Sequence, residues 1–124
     1  TMDTPGLDKR LLGDIALGRG PVIVRGPNTN PLVFKRLLDT AESFGIKYQI
    51  QPSSAVTSTD AGVIQVANSG VAVGIISIPI RYMHTPNEVM EWSDLEGAVD
   101  LAEAFVRSCS SGINFHEISD LSAI

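Results

Sequence analysis

Cysteine, histidine and tryptophan are scarce in this chain, which has one, two and one of them respectively among 124 residues. The lone Cys109 excludes an internal disulfide and fits a reducing compartment. Basic residues are outnumbered, with nine Lys and Arg against fourteen Asp and Glu, a net charge of -5. That balance argues against a nucleic-acid partner, whose phosphates call for a basic patch. No apolar run is long enough to span a bilayer. The longest, Val71 to Ile80, is interrupted by Gly74 and Pro79. Thr1 to Asp14 is polar and lacks the apolar core of a secretory signal, so the expected location is cytoplasmic. Internal repeats and low-complexity linkers are missing too. What remains is 44% hydrophobic and 19% charged residues, the balance of one soluble globular domain with a real core.

Strands and helices alternate along the chain. Pro21–Arg25 reads as a short strand after the turn Gly18-Arg19-Gly20. Asn30-Pro31 opens a helix, since Asn caps well and Pro suits the first helical position. Val33, Leu37, Leu38, Ala41 and Phe44 recur at helical spacing, and Gly45 ends the helix. Ile46–Gln51 alternates like a half-buried strand. Thr59-Asp60 caps a helix expected through Asn68 and closed by Gly70. Val71–Ile78 has the branched-apolar character of a strand covered on both faces. The last helix is expected from Ser93, with Glu96 completing a capping box. Its buried stripe would be Leu95, Ala98, Val99, Ala102, Phe105, Val106 and Cys109. After Ser110-Ser111-Gly112 the tail has no clear period. The β-α-β-α-β-α order predicts an α/β fold, three-layer α/β/α, around a mainly parallel sheet.

Few side chains point to chemistry. The apolar strand near Ile76 ends at Pro79 and releases Arg81-Tyr82-Met83-His84, the kind of place where α/β proteins gather ligands. A neutral imidazole there suits a metal or a proton transfer. The ordinary alternative is a surface histidine after a core strand. His84 and Glu88 have a ligand-like spacing, but Thr85-Pro86 between them argues against a helical turn joining the two. Glu88 reads as a solvated first-turn carboxylate. Thr59-Asp60-Ala61 is first of all a helix cap. Arg81 suits a two-pronged grip on a carboxylate, or an ordinary salt bridge. Cys109 reads as a small core residue and His116 as a surface one. Gly18-Arg19-Gly20-Pro21 lacks the third glycine of a dinucleotide fingerprint. Ser53-Ser54, the serines near Ser108 and His116 form no nucleophile elbow.

Four segments, taken in order, carry a resemblance. They are Asp3-Thr4-Pro5-Gly6; Leu17-Gly18-Arg19-Gly20-Pro21; Tyr48-Gln49 followed by Thr59-Asp60-Ala61-Gly62; and Ile76 to Val89 with Arg81-Tyr82-Met83-His84 at its centre. Together with Asp94 and the closing helix they resemble the C-terminal part of the tetrahedral (TET) and glutamyl aminopeptidase family. These are cytosolic dinuclear metallo-aminopeptidases, some labelled endoglucanases. The resemblance runs from Asp3 to Cys109. It implies that residues 1–109 are the C-terminal part of a metallo-aminopeptidase catalytic domain and 110–124 a tail. It implies that His84 binds one of two divalent ions, zinc or cobalt, that acidify a water for attack on the N-terminal peptide bond. Thr59, Asp60, Ala61, Arg81 and Tyr82 would then face the peptide substrate.

The departures are equally specific. The family's other metal ligands and its general-base glutamate all lie upstream of Asp3, so no catalytic residue is expected in this chain. The family's inserted β-domain is missing, and Val56-Thr57-Ser58 stands where the family has glycines. One histidine cannot hold a metal pair, because each ion needs three or more protein ligands. The expectation is therefore a portion of a metal-dependent aminopeptidase, inactive alone, completed by the missing half of the domain or by self-association through an uncovered apolar face. The alternative is a non-catalytic binding or assembly module of the same fold. A glycosidase reading has no support, because no paired carboxylates stand out.

Overall fold

The three branched residues Val22, Ile23 and Val24 are all buried, and they make the central strand of the domain. The computed structural model describes Gly6, residues 8–55 and residues 59–116. Asp3, Thr4 and Pro5 of the first family-like segment and Val56, Thr57 and Ser58 lie outside the described residues. The elements are α1 (Lys9–Leu12), β1 (Val22–Arg25), α2 (Pro31–Ser43), β2 (Gln49–Pro52), α3 (Asp60–Gln65), β3 (Ile76–Ser77) and α4 (Trp92–Ser108). Among the described residues the sheet has three strands in the order β2-β1-β3. The α/β class expected from the sequence holds, with a mixed sheet. β2 runs parallel to β1, pairing Val22 with Gln49 and Ile23 with Ile50, whereas β3 is antiparallel, pairing Ile23 with Ile76.

α2 forms where its sequence signals say. Asn30 Oδ1 accepts from Leu32 N at 2.9 Å and Val33 N at 3.0 Å, and Pro31 occupies the first turn. Val33, Leu37 and Ala41 pack with Ile23 and with Leu101 of α4 into one core cluster. Both long helices therefore cover the Ile23 face of the sheet. Burying a side chain the size of Leu101 contributes roughly 1.5–3 kcal/mol. Phe44 does not join this stripe. It caps α2 and is exposed, because the chain turns back at Gly45 (φ 65°) so that Ile46 N reaches Ala41 O at 2.9 Å.

Several sequence expectations are corrected. The apolar run from Val71 to Ile78 forms a strand only at Ile76–Ser77. Its earlier residues climb over α2, where Val73 O accepts from Asn30 N at 2.8 Å. Gly74 permits this approach, since a Cβ there would lie 2.6 Å from Val33 Cγ1. α3 stops at Gln65 rather than Asn68, because Asn68 takes a left-handed φ of 52°. The second strand is shifted to Gln49–Pro52; Ile46 and Tyr48 pack on the core, but Ile50 is exposed. α1, held by Asp8 accepting from Arg10 N at 2.9 Å, has no counterpart in the periodicity. The Arg10 guanidinium beside it keeps the Asp8 carboxyl below its ordinary range.

The last helix differs most. It starts at Trp92 after Glu91, so Ser93 lies inside the first turn and makes no capping box; Glu96 instead accepts from Trp92 Nε1 at 2.9 Å. The helix is also rotated from the expected stripe. Its buried residues are Asp94, Leu101 and Ala104; of the expected stripe Leu95, Ala98 and Phe105 are half-buried, Phe105 packing on the core, while Val99, Ala102, Val106 and Cys109 are exposed. The cause is Asp94. Its fully buried carboxylate accepts from Gly18 N at 2.8 Å and Gly20 N at 2.7 Å, a nest of two backbone donors made by the glycine turn. Gly20 is needed there. Its φ is +93°, and a Cβ would sit 2.3 Å from Lys47 O.

Tyr48 shows a smaller effect of packing. Its burial, with Glu42 Oε1 accepting from the hydroxyl at 3.2 Å, holds the phenol above its ordinary value. The folded state keeps this proton more tightly than the unfolded chain, so the stability involved is present below about pH 10 and lost as pH rises through the folded value. Replacing Tyr48 with Phe should flatten the alkaline limb of the stability curve, as read by urea melts between neutral and high pH. The Asp94 carboxylate gives a larger expected effect. In Asp94→Asn the new amide NH2 would face one of two backbone donors, costing about 2–4 kcal/mol. Gly20→Ala should cost about 3 kcal/mol. Gly112→Ala, with open space around its Cβ, should change stability by less than about 0.5 kcal/mol in the same urea titrations.

Candidate functional site

β3 leads through the fully buried Pro79 into a short loop closed at its base by two backbone bonds. Arg81 N donates to Val89 O at 2.8 Å and Val89 N to Arg81 O at 3.1 Å. Within this clasp the chain twists sharply. Tyr82 has φ 59° and His84 φ 66°, both left-handed, each costing on the order of 1 kcal/mol for a non-glycine residue. Local bonds hold the twist. Thr85 N and Thr85 Oγ1 both donate to Tyr82 O, at 3.2 and 2.7 Å. Glu88 Oε1 accepts from His84 N at 2.6 Å.

The loop presents its polar side chains to solvent. His84 and Tyr82 are exposed, and Arg81 is half-buried. As the sequence indicates, no helical turn joins His84 to Glu88. Glu88 corrects another expectation: it lies in no helical first turn but in the loop itself, where it fixes the His84 backbone. Nothing in residue spacing announces this. The available signal is the Thr-Pro-Asn run between them, which favours a tight turn over a helix.

The other candidate residues lie on a different element. Thr59 and Asp60 are exposed at the start of α3 and Ala61 is half-buried; Thr59 occupies the cap position without a side-chain cap bond. Gln65 ties α3 to the turn after β1, accepting from Asn28 Nδ2 at 2.9 Å and donating to Pro27 O at 3.0 Å. Because β3 is antiparallel to β1, the His84 loop leaves the sheet at the end where β1 begins. The structure thus brings Arg81, Tyr82 and His84 into one loop and carries Thr59, Asp60 and Ala61 separately. Among the described residues no three His, Cys, Asp or Glu side chains converge as a metal centre. His84 is a single donor here, and the described residues alone do not fit a complete two-metal site.

Residues 1–101 match the sequence profile of the M42 glutamyl aminopeptidases. The chain belongs to this family. It is 41% identical over 90 residues to a lysyl aminopeptidase of Pyrococcus furiosus, a match covering 73% of this chain and 26% of that protein. The fold superposes on an aminopeptidase from the archaeon Desulfurococcus kamchatkensis with a TM-score of 0.76 and 38% identity, over 89% of this chain and 32% of that one. It also superposes on a Pyrococcus horikoshii TET1 peptidase described as assembling into a tetrahedron or a large octahedral shell. There the TM-score is 0.63 and the identity 30%, over 83% and 30% of the two chains. The M42 chain thus spans about a quarter of the length of the curated relatives it matches. No helix among its described residues is long and apolar enough to cross a membrane.

The loop geometry predicts separable effects on fold and site. Glycine adopts the left-handed φ of His84 without strain, so His84→Gly should be neutral or stabilising by up to about 1 kcal/mol. Glu88→Ala should leave global stability within about 0.5 kcal/mol. Its effect should instead appear at the His84 amide, whose hydrogen exchange should accelerate about tenfold or more. Amide exchange by NMR, beside thermal melts of both variants, checks the pair.

Proposed function

We propose that this chain supplies the C-terminal portion of an M42 aminopeptidase catalytic domain, residues 1–109 as domain and 110–124 as tail, with His84 as its contribution to a metal centre. The observation that carries the reading is the His84 loop. An imidazole is held at a strained backbone position by a carboxylate, a clasp and a turn, within a family of aminopeptidases. Strain of this kind persists where function uses the geometry. Divalent ions, zinc or cobalt, would polarise the peptide carbonyl and lower the pKa of a water that attacks the N-terminal peptide bond. The chain's own residues position: His84 offers one nitrogen, on a backbone fixed by Glu88 and by the Arg81–Val89 bonds. Arg81 and Tyr82 flank it toward the substrate, whereas Thr59, Asp60 and Ala61, on α3 by the turn after β1, are not assigned to the same site.

The remaining ligands and the general base would come from the part of an M42 domain that this chain does not span. That portion is the partner we assign to it, in a cytoplasmic enzyme, with peptides carrying a free N-terminus as substrate. The chain alone should release no amino acid from aminoacyl anilides in the presence of zinc or cobalt. Isothermal titration with either metal should show weak or absent binding, unchanged in His84→Ala. A chimera tests the proposal directly, with this chain replacing the matching quarter of the Pyrococcus furiosus lysyl aminopeptidase. It should hydrolyse lysyl anilide, and His84→Ala should lower kcat at least about a hundredfold. Tight metal binding or turnover by the chain alone, lost in His84→Ala, would show that it builds its own centre and overturn the proposal. So would a folded, active chimera indifferent to His84.

A further inference from the structure

We draw no further inference here: the strongest candidate, the cleft beside the α2 cap between residues 113–116 and the stretch from Ser69 to Val73, has its Asn30 and Gln65 amides already engaged within the chain, and nothing in the structure shows what covers it in a chain that spans about a quarter of its M42 relatives.

Discussion

Two backbone N–H groups of a glycine turn, Gly18 and Gly20, converge on the buried carboxylate of Asp94, and much of the molecule follows from that contact. The turn precedes the central strand and Asp94 sits in the first turn of the last helix, so one side chain joins the entry of β1 to the entry of α4. Orientation is the main consequence. Once Asp94 faces inward, Leu101 and Ala104 follow it into the core, and the Val99 and Val106 face is left outside. The Asp94 contact also limits where the His84 loop can lie, because only two residues separate Val89 from α4. A buried carboxylate is expensive unless its hydrogen bonds are supplied. Here the fold supplies them from main chain, through a turn whose φ values of 76° and 93° favour glycine.

The His84 loop shows the same division between scaffold and site on a smaller scale. Its base is clamped by backbone bonds between Arg81 and Val89, and its tip is fixed by Glu88 and Thr85. The restraint acts on the backbone that carries the exposed imidazole. That precision serves little unless other groups meet it, and among the described residues none form a metal-binding cluster. The chain matches about a quarter of the length of its M42 relatives.

Legibility followed the range of the interactions. α2 was readable to within a residue, because its Asn cap, its Pro and its core period act within a few positions of each other. β1 was readable because three branched residues in succession suit a covered strand. The run from Val71 to Ile78 misled because its apolar character says nothing about pairing. Gly74 let the backbone lie on α2, and most of the segment left the sheet. The residues of the candidate loop were visible in the sequence, since one of only two histidines follows an apolar run that ends in proline. Their restraint was not, because a carboxylate bonding to a backbone N–H has no periodicity.

By itself the sequence determined the family, the α/β class, the presence of the long helices and the segment that carries His84, all properties of local composition and order. Tertiary structure alone decided that β3 runs antiparallel, that Cys109 faces solvent and that Val99 and Val106 of α4 point outward. Periodicity tells which residues share a face of a helix. Which face is buried depends on partners, and for α4 the deciding partners, Gly18 and Gly20, lie 76 and 74 positions away in the chain.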